Sequence, residues 1–265
     1  MKLTFIGAGN MAEAIVAGIL DKKVVDPWNV CVADISHERL QLFESRHNVK
    51  TLSENAAAVA KADVVVLAVK PQVFPTVWPE IERALESDAL VISIMAGIPS
   101  AKISAGKSIR VVRVMPNTPS LVGEGASGIA AGEYATGDDL SVASELMGAV
   151  GTTVVVKESE IDAVTALSGS GPAYVFYLLE GMLEAAEKMG LNQEISRELA
   201  LATVIGAARL MQETGEDADA LRKKVTSKGG TTEAAVNTLQ AHDVKESIVS
   251  ALLAAQARSR ELANG

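Results

Sequence analysis

Through the first 156 positions the apolar residues fall into short runs, at 3–7, 30–34, 63–69, 90–94, 110–115 and 152–156, with helix-period stretches between them. Strands alternating with helices predict a parallel sheet covered on both faces. The run Val64-Val65-Val66-Leu67-Ala68-Val69 does not alternate with polar residues, so it predicts a strand buried on both sides, near the middle of the sheet. Ser36 and Ser53 stand where helix N-caps are expected, and Pro71 and Pro99 where a first helical turn tolerates proline. Beyond about Glu158 the strand pattern disappears and helical patterns follow at 172–189, 193–213, 217–226, 232–239 and 242–262. The expected fold class is α/β: a Rossmann-like doubly wound parallel sheet over residues 1–157, then an all-α domain over 158–265. No internal repeat or low-complexity linker interrupts it.

The second half is apolar on more than one helical face, as at 200–208 (ALATVIGAA), and such a helix must be covered. Its small residues predict close helix–helix approach, extending to a second copy of the chain in a homodimer.

Composition narrows the classes. The 265 residues are 48% hydrophobic and 22% charged with a net charge of −9, a folded, globular balance. An acidic chain with 3% aromatic residues lacks both the basic surface and the stacking platforms of a nucleic-acid binder. No stretch of about 18 uncharged apolar residues occurs, so no membrane-spanning helix is expected. Lys2 and the apolar residues after it imitate a signal peptide, but Asn10 and Glu13 interrupt them. Cys31 is the only cysteine and can form neither an internal disulfide nor a zinc site, which suits a cytoplasmic location.

Directly after the first run stands Gly7-Ala8-Gly9-Asn10-Met11-Ala12, a G-x-G-x-x-A element opening a helix. Gly7 permits the tight turn, Gly9 lets a pyrophosphate approach the backbone, and Ala12 keeps helix and strand close; the helix N-terminus offers free N–H groups. Asp34 closes the second strand at the distance where a dinucleotide's ribose is held. A tight turn without ligand, or a flavin or S-adenosylmethionine site, are the other readings. An acid at Asp34 favours the ribose hydroxyls of NAD and opposes the 2′-phosphate of NADP, while His37, Arg39 and Asn55 are near enough in sequence to offset it. Unit charges 4 Å apart interact by about 1 kcal/mol in water and about 4 kcal/mol near a protein surface.

Ligands on such sheets sit beyond the carboxyl ends of the strands. That makes Lys70, after the third of the long apolar runs, a candidate for a phosphate or the nicotinamide ribose. Asn117 and Thr118 lie between Pro116 and Pro119 and offer amide and hydroxyl groups. Two polar loops in the second half, Ser168-Gly169-Ser170-Gly171 before Pro172 and Ser227-Lys228-Gly229-Gly230 before the next helix, read equally as anion loops or as helix connections and caps. The three histidines, His37, His47 and His242, lie in none of these segments, which disfavours a hydrolase or a metal site. An alcohol dehydrogenase needs a base, yet no Lys or His occurs between Glu158 and Glu187. Imine reduction is less demanding, because the nitrogen can arrive protonated or take a proton from water or a hydroxyl.

The segments GAGNMA at 7–12, AVKP at 68–71, RVMPNTP at 113–119, SGSGPAYVF at 168–176 and TSKGGTTEAAV at 226–236 together resemble pyrroline-5-carboxylate reductases along essentially the whole chain. The resemblance implies reduction of 1-pyrroline-5-carboxylate to L-proline, the last step of proline biosynthesis, with NADPH favoured and NADH possible. It implies a pyrophosphate site at Ile6, Gly7, Ala8, Gly9, Asn10 and Met11, with Asn55 on the adenosine ribose or its phosphate. Ala68, Val69, Lys70, Pro71, Met95 and Ala96 would hold the nicotinamide half, with Asn117 and Thr118 at the same end. Ser227, Gly230, Thr231 and Thr232 would cradle the substrate carboxylate, Thr232 lying near the imine nitrogen. A homodimer built from the helical half, often assembled into a larger ring with sites completed by the partner, is also implied. Two departures stand out: Lys228 replaces the proline common in the family's SPGGTT, and an acid occupies position 34. A 3-hydroxyacid dehydrogenase and a nonenzymatic nucleotide sensor are the rival readings.

Overall fold

The computed structural model describes residues 1–264, which divide into two compact units, residues 1–172 with 255–264 and residues 173–254. In the first unit eight strands form one sheet: β1 (Leu3–Ile6), β2 (Val30–Ala33), β3 (Lys50–Leu52), β4 (Val64–Leu67), β5 (Leu90–Ser93), β6 (Arg110–Met115), β7 (Gly125–Ala131) and β8 (Gly151–Val155). Their order is β3-β2-β1-β4-β5-β6-β7-β8. The first six strands run parallel in the doubly wound order expected of a dinucleotide fold. β4 is buried along its length and lies inside the sheet, as its unbroken apolar run predicts.

The expectation of a wholly parallel sheet is corrected at one edge. β7 pairs antiparallel with β6, and β8 then follows β7 in parallel. Neither β3 nor β7 is legible in the hydrophobic pattern of the sequence. β3 has three residues, too few to show a period, and β7 reads GASGIAA, without the β-branched and aromatic residues that mark strands.

Alternate strand residues feed two cores. Leu3, Phe5, Val32, Val66 and Ile92 pack with Ile15 and Ile19 of α1 (Asn10–Asp21) and Phe43 of α2 (His37–His47). Ile6, Val65, Leu67 and Val91 pack with Val59 of α3 (Asn55–Val59), Trp78 and Ile81 of α4 (Phe74–Ala84), and Ile103 of α5 (Ser100–Ser104). On the first face α6 (Gly137–Gly148) adds Ala143, Leu146 and Met147 and begins with a capping box from Thr136 and Asp139. Ser36 caps α2 as expected, but Glu54 rather than Ser53 precedes α3. The first unit continues past the last strand, because Ile161 of α7 (Ile161–Val164) packs with Met115 and Ala130.

In the second unit run α8 (Gly171–Lys188, from Ala173 onward), α9 (Gln193–Thr214), α10 (Ala218–Lys224), α11 (Thr231–Ala241) and α12 (Val244–Asn264, as far as Ala254). Within residues 173–254 only Ala186, Ser196 and Ala200 are buried. Phe176, Tyr177, Leu199, Ile205, Ile248 and Leu253 are exposed apolar residues. Helices of this kind have no core of their own.

Candidate functional site

The turn after β1 is shaped by contact with the end of β4. Gly7 has φ +103°, and a Cβ there would lie 2.7 Å from the Ala68 carbonyl oxygen, so a side chain is excluded both by conformation and by space. The Ala68 N–H donates to the Ile6 carbonyl at 2.8 Å and the Gly7 N–H to the Ala33 carbonyl at 2.8 Å, which ties three strand ends together. Gly9 then serves as the N-cap of α1. No side chain caps this terminus, and the space where a Gly9 side chain would stand is open. Buried Ile6 and Ala8 offer the backbone alone, whereas Gly9 and Asn10 are exposed. A narrow turn, an open approach and an uncapped helix N-terminus fit the pyrophosphate of a dinucleotide.

Asp34 closes on this loop. Its Oδ2 accepts the Ala8 N–H at 2.6 Å and its Oδ1 accepts the Ser36 N–H at 2.8 Å. Arg39 grips the same residue from the other side: its Nε donates to the Ala8 carbonyl at 2.6 Å, and its Nη2 pairs with Glu13 Oε2 at 2.8 Å. Glu13 Oε1 also pairs with Arg46 at 3.1 Å. Sequence reasoning named Arg39 only as a possible offset to Asp34 and passed over Glu13 as a partner; its position in the first turn of α1 was the available signal.

At the carboxyl end of β4, beside the Gly7 turn, Ala68 and Val69 are half-buried, Lys70 is exposed, and Pro71 opens a short 3₁₀ turn. Met95 is buried and Ala96 exposed. Asn55, at the start of α3, donates its amide to Glu80 Oε1 at 2.5 Å. Thr118 is exposed, while Asn117 is buried with both ends of its amide engaged. Its Oδ1 accepts the Ala126 N–H at 2.8 Å, and its Nδ2 donates to the Ser168 carbonyl at 3.1 Å. Asn117 thus joins the turn after β6 to β7 and to the Ser168 segment.

That segment is not the flexible loop the sequence predicts. Residues Thr165–Gly169 form a π-helical turn, with the Ser170 N–H donating to the Thr165 carbonyl at 2.8 Å, and α8 starts at Gly171. Glycine and serine looked like a break; here they accommodate a wider turn, a feature frequent at functional sites.

In the second unit, the Gly230 N–H donates to the Ser227 carbonyl at 3.0 Å, and Gly229 has φ +74°. Lys228 is absent from the positive-φ residues, so Ser227-Lys228-Gly229-Gly230 is a type II turn with glycine at its required third position. α11 begins directly afterward with Gly230 as N-cap and no side-chain cap. Glu233 turns back to accept the Gly229 N–H at 2.7 Å, leaving Thr231 and Thr232 in the first turn without a capping role. Anions are favoured at such an end by its oriented N–H groups and dipole.

Among the described residues, no three His, Cys, Asp or Glu side chains gather as a metal site, and no helix is long and apolar enough to cross a membrane. Burial raises the Cys31 thiol above its ordinary pKa, with Lys50 opposing, so thiolate is disfavoured there.

A family model described as pyrroline-5-carboxylate reductase dimerisation matches residues 158–262, and one described as NADP oxidoreductase, coenzyme F420-dependent, matches residues 2–97. The chain is 42% identical to a pyrroline-5-carboxylate reductase of Pseudomonas aeruginosa, over 99% of this chain and 97% of that protein. The solved structure of a pyrroline-5-carboxylate reductase from Coxiella burnetii superposes with a TM-score of 0.92 at 43% identity, covering 98% of each chain. That of a pyrroline carboxylate reductase from Plasmodium falciparum, with NADP bound, gives 0.90 at 29% identity over 99% of this chain and 98% of that one.

Proposed function

This chain belongs to the pyrroline-5-carboxylate reductase family, and on that basis we propose that it reduces the C=N bond of 1-pyrroline-5-carboxylate to give L-proline, the last step of proline biosynthesis. NADPH is the favoured reductant and NADH a second one. The observation that carries the reading is the pairing, in one chain, of an open, uncapped dinucleotide loop at Gly7–Asn10 with an uncapped helix start at Gly230–Thr232.

When bound, the reduced nicotinamide supplies a hydride. The chain's residues supply position and a charge environment. Ile6, Gly7, Ala8, Gly9, Asn10 and Met11 form the pyrophosphate site: Ile6, Gly7 and Ala8 shape the turn, and the uncapped start of α1 at Gly9, Asn10 and Met11 offers the backbone N–H groups. Asp34 and Asn55 face the adenosine half; Ala68–Pro71, Met95 and Ala96 border the nicotinamide half. Asn117 acts by holding the Ser168 turn, with Thr118 beside it. Ser227, Gly230, Thr231 and Thr232 hold the substrate carboxylate at the start of α11, and the Thr232 hydroxyl, or a water it orients, assists the imine nitrogen.

The functional division falls between residues 157 and 158, with the helical part serving dimerisation. The exposed apolar faces of α8, α9 and α12 support a homodimer, because a second copy would remove them from water. A larger ring of dimers and a cytoplasmic location complete the proposal.

Nicotinamide absorbance, followed with NADPH or NADH and with or without 1-pyrroline-5-carboxylate, tests the reaction. Imine-dependent oxidation is expected; oxidation that depends on a 3-oxoacid instead of the imine, or binding without turnover, would replace this reading with a hydroxyacid dehydrogenase or a sensor. Light scattering tests the dimer and the ring.

A further inference from the structure

We propose that Arg39 sets how the chain discriminates at the adenosine 2′ position: its guanidinium receives a 2′-phosphate, and Glu13 is the internal anion that phosphate replaces. This deepens the dinucleotide reading given above and rests on it.

Asp34 alone describes the ribose end incompletely. An acid at the end of the second strand of such a fold stands at the ribose and opposes a 2′-phosphate. Here, however, both Asp34 oxygens are already engaged, by the Ala8 N–H at 2.6 Å and the Ser36 N–H at 2.8 Å. The carboxylate is directed at the loop. Arg39 bonds to the carbonyl of the same Ala8, at 2.6 Å, so one residue of the loop separates its guanidinium from the Asp34 carboxylate.

The remaining bonds of Arg39 define the exchange. Nη2 pairs with Glu13 Oε2 at 2.8 Å, and no hydrogen bond from Nη1 occurs among the described residues. The Arg39 side chain retains 25% of its exposure, enough for an incoming anion to meet it. Glu13 would not be left unpaired by the exchange, because Arg46 holds its other oxygen at 3.1 Å. His47 is the other titratable group on this cluster, with Nε2 4.0 Å from Glu13 Oε1, and burial favours its neutral form. The local set is therefore Asp34 and Glu13 against Arg39 and Arg46. A planar guanidinium can bind phosphate by two parallel N–H bonds while Nε keeps its grip on Ala8.

Direct binding of NADP⁺ and NAD⁺, measured by calorimetry on the full-length protein, tests this without requiring turnover. Arg39→Gln removes the Ala8 clamp for both nucleotides and should weaken NADP⁺ about tenfold more than it weakens NAD⁺, the scale of one charge-assisted bond. Arg39→Lys, which keeps the charge, should recover part of the NADP⁺ affinity. Glu13→Gln removes the competing anion without touching Arg39 and should strengthen NADP⁺ relative to NAD⁺. Equal weakening of both nucleotides by Arg39→Gln would reduce Arg39 to a loop clamp and overturn the inference, as would a Glu13→Gln protein with an unchanged nucleotide ratio. If the unaltered protein bound neither nucleotide, the dinucleotide reading itself would fall; if it bound both and reduced the imine while the variants showed no selectivity, only this inference would.

Discussion

The carboxylate of Asp34 accepts the Ala8 N–H at 2.6 Å, so the acid that closes β2 also holds the loop that opens α1. Removing it has two separable effects. Asp34→Ala deletes both the acceptor and the charge, and should raise the KM for both nucleotides, by roughly tenfold for the loss of a charge-assisted bond, while also moving the ratio toward NADPH. Asp34→Asn keeps an oxygen for the Ala8 N–H while removing the charge, and should move the KM ratio toward NADPH without that common loss. Steady-state kinetics with both nucleotides separate the cases. An identical ratio in the Asn variant and the parent would remove the Asp34 charge from 2′-phosphate discrimination.

Asn117 has a different role from the one its position between two prolines suggests. Its amide joins Ala126 to Ser168, so Asn117→Ala strands the N–H of half-buried Ala126 and the carbonyl of half-buried Ser168. A fully buried stranded group costs on the order of 1–3 kcal/mol, so two half-buried ones cost toward the lower end of that range each. Urea unfolding should show that loss with a lower midpoint, and kcat should fall with it because the π-helical turn loses its tether. Asn117→Asp keeps the acceptor for Ala126 but sets a carboxylate oxygen against the Ser168 carbonyl, and should be no more stable than the Ala variant.

These two residues illustrate what was legible beforehand. The glycine loop, the six main strands and Asp34 could be read because they depend on local rules: apolar runs, turn geometry and the residue at a strand's end. The type of pairing at the β6–β7 edge could not, since β7 is Gly- and Ala-rich and its direction is set by packing against β6 and β8. The Ser168 segment reads as a loop in the sequence because a π-helical turn tolerates the same glycines and serines that usually end a helix. The Asn117 bridge spans 51 residues to Ser168, and the Arg39 bond to Ala8 spans 31. Partners that distant are invisible to spacing, so the sequence points Asn117 at a ligand and leaves Arg39 only as an offset to Asp34, whereas the nearest partner of each is the chain itself.

Lys228 departs from the proline common in the family's SPGGTT, but the turn forms without it. Ser227-Lys228-Gly229-Gly230 adopts a type II turn with Gly229 at φ +74°, and the second position of such a turn favours proline. Lys228→Pro should therefore raise stability by about 0.4–1 kcal/mol, chiefly by restricting the unfolded chain. If Lys228 also draws the substrate carboxylate, the same variant should raise the KM for the imine and flatten its salt dependence while leaving kcat nearly constant. A destabilised variant would show that the Lys228 N–H or its backbone angles are needed as they are.

His47 predicts how acid acts on the first unit. Its ring lies against Phe43, with centroids 5.6 Å apart, and its Nε2 is buried without a hydrogen-bond partner. The Glu13 oxygen at 4.0 Å is beyond hydrogen-bond reach. Burial lowers the His47 pKa below its ordinary value; Glu13 works to raise it and Arg46 adds to the lowering. The unfolded chain, with a pKa of about 6.5, consequently takes up this proton before the folded chain does. Stability is complete above the unfolded value and is lost as the pH falls from about 6.5 toward the folded one, because protons then favour the unfolded state. His47→Gln should remove that part of the acid sensitivity. Thermal unfolding of both proteins between about pH 7.5 and 5.5 checks it: the parent should lose Tm faster than the variant below about pH 6.5, with parallel curves above. Parallel curves throughout would place the acid sensitivity on other groups and leave His47 a packing residue.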